Sequence, residues 1–192
     1  RPTRIQLQRA RAASGIQLLN LDSHLGTAQF RRAASGIEEG GFGKGYALDR
    51  AARCLQAEGA SSGLLDFGGQ LLAFGTPRRV ALADPINRVS LRLSLTLHEA
   101  SLSSSGPSEK GPHILDPKKS RPCPAWGSVG VVAPSGLEAD CLSTALYVMG
   151  PKKGLAWATL HKVPACFLLN NGQIRMSPAF LALAPHVSKE SS

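Results

Sequence analysis

The sequence predicts an α+β fold, mixed sheets with packed helices, and three observations carry that prediction. Leu91, Leu93, Leu95 and Leu97 alternate with Arg92, Ser94, Thr96 and His98, which is the period of a strand with one buried face. Two segments, 46–58 and 137–150, instead space their apolar residues three and four apart, as one-sided helices do. Strand and helix patterns then mingle without a regular β-α-β rhythm, as in the α+β class. At 192 residues and 43% hydrophobic, the chain is long enough to bury a substantial core.

Taken in order, residues 1–39 are basic, with short apolar clusters such as "IQLLNL", and read as one or two strands or turns. In the first helix, Ala47, Leu48, Ala51, Ala52 and Leu55 form the apolar stripe and Gly59 supplies the stop. "SGLLDFGGQLLAFG" reads as strand, turn at Gly68-Gly69, strand, and "RRVALADP" as a strand stopped by Pro85. After the alternating strand, residues 101–124 are rich in Ser and Pro and read as a long loop, interrupted by Ile114 and Leu115. "GSVGVVAP" is a buried-type strand. Ser135 and Glu138 form a capping box ahead of a helix whose stripe is Leu142, Ala145, Leu146 and Met149 and whose end is Gly150. A short helix at 155–160, the strand "ACFLLN", a turn at Asn171-Gly172 and a polar tail complete the chain. The organisation expected is a basic segment 1–39, a core 40–183 and a tail 184–192; no internal repeat is evident.

Twenty-two Lys and Arg against thirteen Asp and Glu give a formal charge of +9, which suits phosphorylated or polyanionic partners. Aromatics make up only 5% and no recognition motif is present, so no nucleic-acid partner is expected. Cys54, Cys123, Cys141 and Cys166 are widely spaced, with no Cys-x-x-Cys pair for zinc or thioredoxin-like chemistry. Cys54 and Cys141 lie within helical patterns, where small buried thiols are common. No apolar run approaches membrane-spanning length. The chain opens on Arg1 where an initiator Met is expected, and is read as a fragment or a processed product.

Several short stretches could carry chemistry. Gly43-Lys44-Gly45 precedes the first helix. Glycine-flanked N–H groups at a helix N-terminus favour phosphate, while the same glycines equally serve a flexible turn before a surface helix. A Walker loop is excluded because Gly45 follows the lysine and Glu38 stands where the first glycine belongs. The alternating Gly41, Gly43 and Gly45 also miss the dinucleotide fingerprint. Asp140 and Thr144, at i and i+4, share one helix face. They are oxygen ligands suited to a hard cation such as Mg²⁺, or else an acid offsetting a helix dipole beside a surface threonine. His113, in "PHILDP", is either structural or a base beside Asp116. "DFG" at 66–68 has no accompanying His-Arg-Asp loop, and no Gly-x-Ser-x-Gly elbow or Glu-x-x-His pattern occurs.

The order of the pieces says more than any one of them. "GKGYALDRAARCL", "LLDFGGQLLAFG", "HILDP" and "SVGVVAPSGLEADCLSTALYVMG" occur in this order, and together they closely resemble the ApbE family of Mg²⁺-dependent FAD:protein FMN transferases. The resemblance is strong from Gly40 to Gly154 and fades toward Phe180. It implies an ApbE-like, T-fold-related architecture lacking part of the usual N-terminal region. It further implies Mg²⁺ held by the side chains of Asp140 and Thr144 and the carbonyl of Gly43. The flavin nucleotide would be lined by Gly43, Lys44, Gly45, Gly68, Gly69, Ser105 and Gly106, with Asp49 at the edge, and His113 would move a proton or position the phosphates. The family's Asn-Leu-Gly-Gly-Asp turn here reads Asp66-Phe67-Gly68-Gly69-Gln70. Pro107 stands where many members place an aromatic after Ser-Gly.

The activity so implied is transfer of FMN from FAD to a Thr or Ser hydroxyl of an acceptor protein, with release of AMP. A non-catalytic flavin-binding relative, or an FAD hydrolase yielding FMN and AMP, shares most of these parts. An extracytoplasmic location, with membrane association only through an N-terminal anchor preceding this chain, also follows from the resemblance alone.

Overall fold

The computed structural model describes residues 2–33, 35–107 and 113–187. Part of the Ser- and Pro-rich stretch (108–112) and the last part of the expected tail (188–192) lie outside the described residues. The chain divides into two units, Arg1–Glu39 with Asp116–Arg121, and Gly40–Leu115 with Pro122–Ser192.

The first unit contains helix α1 (Arg4–Ala12), a single 3₁₀ turn (Ile16–Leu18), and an antiparallel hairpin of β1 (Leu19–Asp22) and β2 (Thr27–Phe30). The hairpin agrees with the strand-and-turn expectation; the helix corrects it. Its signal was local, because the Thr3 side chain accepts from the Gln6 N–H and the Gln6 side chain accepts from the Thr3 N–H. That reciprocal cap can start a helix without any apolar stripe, and α1 buries none of its residues.

In the second unit, α2 (Gly43–Ala57) is followed by β3 (Gly63–Phe67), β4 (Gln70–Phe74), β5 (Arg78–Ala83), β6 (Leu91–Leu97) and β7 (Ala100–Ser105). The two-residue β8 (Leu115–Asp116) and β9 (Arg121–Pro122) stand at the two ends of residues 116–121, the stretch grouped with the first unit. Then come β10 (Gly127–Ala133), α3 (Gly136–Leu160), β11 (Ala165–Leu169), β12 (Ile174–Met176), α4 (Pro178–Leu181) and β13 (His186–Val187). An antiparallel sheet of six strands runs β12-β11-β10-β7-β4-β3, and a sheet of three runs β13-β6-β5. The α+β class predicted by the sequence is what the chain adopts.

Three layers result. Leu93, Leu95 and Leu97 of β6, with Val80 and Leu82 of β5, pack against Ala73, Leu102, Val132, Cys166 and Leu168 of the larger sheet. The alternation in β6 therefore faces the second sheet, although Leu91 is exposed at the strand's start. On the other side of the larger sheet, Leu146, Tyr147 and Ala158 of α3 meet Val129, Val131, Ala165 and Phe167. Leu48 and Ala52 of α2 meet Leu72 and Phe74. Each cluster removes several large side chains from water, at about 1.5–3 kcal/mol apiece.

Other sequence expectations need correction. Residues 101–105 are a strand near the centre of the sheet, not the opening of a loop. Ser101, Ser103 and Ser105 are buried and their hydroxyls are hydrogen-bonded within the protein, which is why a run of serines can sit in a sheet. The first helix begins at Gly43 rather than Tyr46, so Lys44 and Gly45 belong to its first turn. Gly150 breaks the long helix with φ 76 and ψ 170, and helix resumes at Pro151, earlier than the expected 155. Cys54 and Cys141 are exposed, Cys123 and Cys166 are the buried thiols, and none of the four forms a disulfide. The segment read as a polar tail contributes β13, which pairs with β6.

Candidate functional site

The site grows from the contact between the N-terminal turns of α2 and α3. A Cβ on Gly45 would overlap the Gly136 carbonyl, so the two backbones touch at a pair of glycines. Glycine at 45 therefore serves close helix approach rather than loop flexibility. With the backbones in contact, each helix caps the other. Asp140 of α3 accepts the Gly45 N–H at 3.1 Å through Oδ2, while Asp49 of α2 accepts the Gly136 and Leu137 N–H groups at 2.6 and 3.0 Å. Ser135 accepts a third, from Glu138, at 3.1 Å. Two carboxylates thus meet two positive helix ends, the setting in which anionic side chains are most favourable.

Asp140 is 2% exposed and its second oxygen, Oδ1, lies 3.2 Å from the Lys44 ammonium, whose side chain is 38% exposed. The acid does offset a helix dipole, but that of α2 rather than of its own helix. One turn on, Thr144 Oγ1 lies 3.4 Å from Ser105 Oγ. Ser105 is in turn 2.9 Å from Ser143 Oγ, and Ser143 is 3.1 Å from Ser103 Oγ and donates to the Asp140 carbonyl. These hydroxyls tie β7 to the helix face that carries Asp140 and Thr144. A Cβ on Gly41 would lie 3.4 Å from the Thr144 side chain, so the residues leading into α2 pass beside it.

The β3–β4 turn comes to the same place. Phe67 pairs with Gln70, leaving Gly68 and Gly69 as a two-residue loop with φ of 60° and 83°. Both glycines adopt the left-handed region that a tight I′ hairpin needs, and Asp66 Oδ1 accepts the Gly69 N–H at 2.9 Å. A Cβ on Gly68 would sit 3.7 Å from Lys44 Cδ. Gln70, 1% exposed, donates to the Gly136 carbonyl at 2.8 Å and lies 3.4 Å from Ser101 Oγ. Its Oε1 is one of the few buried side-chain atoms without a partner among the described residues.

The sequence-predicted residues are therefore partly brought together. Lys44, Gly45, Asp140, Thr144, Ser105 and Gly68 converge within one short network. Gly69 completes the same turn, Gly43 opens α2, and Gly106 follows β7 beside Ser128. Asp49 is near, but both its oxygens are engaged by the N-terminus of α3. His113 is exposed and lies just ahead of β8, next to undescribed residues. Ser143 and Gln70 are central to the network and are not among the sequence-predicted site residues. The period-two run Ser101, Ser103, Ser105 was the local signal for the hydroxyl ladder.

The oxygens presented are a buried carboxylate and a threonine hydroxyl supported by neighbouring serines, and the described residues hold no cluster of three His, Cys, Asp or Glu. In type, this donor set fits a hard cation with oxygen preference and not zinc or another soft metal. The half-exposed Lys44 ammonium beside it suits an anion. Burial pushes the Cys141 thiol up, with the neighbouring Asp140 charge adding to it, so this cysteine beside the site is held as the thiol.

The "ApbE family" model matches residues 1–167. The chain is 29% identical to a FAD:protein FMN transferase of Salmonella typhimurium, over 93% of this chain and 57% of that protein. It is 32% identical to a FAD:protein FMN transferase of Escherichia coli K12, over 79% and 48%. Among solved structures, the flavinyl transferase ApbE of Pseudomonas stutzeri in its apo form superposes with a TM-score of 0.81 at 32% identity, covering 95% of this chain and 61% of that one. The flavin transferase ApbE of Vibrio cholerae gives 0.83 at 26%, covering 95% and 63%. The chain spans about half to two thirds of the length of the relatives it matches. A family model that covers most of the sequence, and a fold shared with these structures over nearly all of it, agree: this chain belongs to the ApbE family.

Proposed function

We propose that this chain carries the metal- and nucleotide-handling part of a flavin transferase, which moves FMN from FAD to a Thr or Ser hydroxyl of an acceptor protein. The observation that carries the reading is the convergence of Asp140, Thr144, Lys44 and the Gly68–Gly69 turn on the N-terminal end of α2, in a chain of this family. Asp140 and Thr144, with the Gly43 carbonyl, would hold Mg²⁺, which when bound neutralises diphosphate charge and stabilises the developing oxyanion. Lys44, the Gly68–Gly69 turn and Gly106 face the nucleotide in this reading, while Gly45, buried against Gly136, gives its N–H to Asp140. Ser105 acts within the protein, through Thr144. Asp49 caps the start of α3 with both oxygens and is not assigned to the ligand.

The acceptor oxygen forms a bond to the FMN-side phosphorus while the bond from that phosphorus to the AMP oxygen breaks. AMP leaves with the electron pair, and the hydroxyl proton passes to a base, the role we assign to His113. An extracytoplasmic setting belongs to the same proposal.

The test is to incubate the chain with FAD, Mg²⁺ and an acceptor protein bearing a flavinylation site. Protein-bound flavin fluorescence on a denaturing gel and AMP by chromatography are then measured. Covalent flavin and AMP in equal amounts, lost on chelation and in Asp140→Ala, support the reading. AMP without covalent flavin would assign hydrolysis instead. Asp140→Ala transferring FMN at the parent rate would remove the metal assignment.

A further inference from the structure

We infer that Lys44 is a built-in counter-ion that competes with a divalent cation for Asp140; this rests on the metal reading above. Asp140 is 2% exposed, and a carboxylate so placed needs a partner for each oxygen. Oδ2 is held by the Gly45 N–H, a fixed backbone donor in the first turn of α2. Oδ1, the oxygen left for a metal, is held at 3.2 Å by the Lys44 ammonium. The two donors differ in kind. The backbone donor cannot leave without moving the helix, whereas Lys44 is carried on a flexible four-carbon stem and its side chain is 38% exposed.

A dication at Oδ1 and an ammonium on the same oxygen repel each other, so one displaces the other. The ammonium keeps the buried charge paired and Asp140 in its rotamer until a cation arrives. Once displaced it is free for an anion, and its stem already runs beside the Gly68–Gly69 turn. One side chain thereby couples cation binding to readiness for a phosphate. Ser105 and Ser143 hold Thr144 and the helix backbone from the other side, so exchange at Oδ1 requires no rearrangement of the ladder.

The experiment is calorimetric titration of MgCl₂ into the whole 192-residue chain and into Lys44→Met, Lys44→Gln, Lys44→Arg and Asp140→Ala, with melting curves in chelator and in saturating Mg²⁺. Lys44→Met and Lys44→Gln should bind Mg²⁺ about tenfold tighter than the parent, a gain between that of an exposed and a buried ion pair. Lys44→Arg, which keeps the charge, should stay near the parent affinity. In chelator the two neutral variants should melt below the parent, and the gap should close in Mg²⁺, which a packing defect would not do. Equal or weaker Mg²⁺ affinity in both neutral variants overturns the inference while leaving the metal reading in place. If the parent binds no Mg²⁺ that Asp140→Ala removes, both fall together.

Discussion

At the scale of single residues, the same side chain often serves the fold and the site, and the test must separate the two. Asp140 caps α2 with one oxygen and meets the Lys44 ammonium with the other; Asp49 caps α3 with both of its oxygens. In the sequence Asp140 reads as an acid near a helix end, whereas Asp49 enters only through the family resemblance; the donors that each carboxylate meets are set by the fold. His113 differs from them, being exposed and carried on neither helix. In the proposed reaction it moves a proton, so His113→Ala should lower turnover by about 10²-fold or more while FAD affinity changes little. Steady-state kinetics that separate kcat from the FAD KM check this. An unchanged kcat returns the histidine to a structural role.

At the scale of elements, the site exists because α2 and α3 meet backbone to backbone. Gly45→Ala forces a methyl group onto the Gly136 carbonyl and should cost about 1–3 kcal/mol, read as a lower urea midpoint. Gly41→Ala, whose added carbon meets Thr144 at ordinary contact distance, should stay close to the parent. Asp49→Ala removes the acceptor of two N–H groups at the start of α3 and should cost about 1 kcal/mol or somewhat more. Asp49→Asn, which keeps one acceptor oxygen, should recover part of that loss. If Asp49→Ala leaves the urea midpoint unmoved, the reciprocal capping contributes nothing to stability.

For the whole molecule, thiol chemistry reports on the layers. Cys54 and Cys141 are exposed and Cys123 and Cys166 buried, so an excess of an aromatic disulfide should titrate two thiols in the native chain and four in denaturant. Burial between the two sheets pushes the Cys166 thiol up to about 12, against an ordinary value of 9.0. The folded state then holds this proton more tightly than the unfolded one. Its contribution to stability is fully present below pH 9 and is lost as pH climbs from 9 toward 12, by about 1.4 kcal/mol per pH unit. Melting curves between pH 8 and 11 should show stability falling with pH, and falling less steeply in Cys166→Ala, where the raised Cys141 thiol and Tyr147 hydroxyl still contribute. A slope identical in the two proteins would mean that Cys166 stays reachable by solvent base.

The sequence by itself determined the α+β class, the leucine face of β6, both main helices, the Gly68–Gly69 hairpin and the family. Each is written in a local period, a cap or a motif, and those depend only on near neighbours along the chain. It missed α1, whose cap stands without an apolar stripe. It also missed β7, where serines replace the expected strand formers because their hydroxyls find partners on β4 (Ser101) and α3 (Ser103 and Ser105). Only the tertiary structure decided that Gly45 packs against Gly136, that both Asp49 oxygens accept backbone N–H groups while one Asp140 oxygen meets the Lys44 ammonium, and that Ser105 lies against Ser143 and Thr144. Those are statements about residues some 40 to 95 positions apart. Which donors reach a given oxygen is fixed by how the layers pack, and no local pattern encodes that.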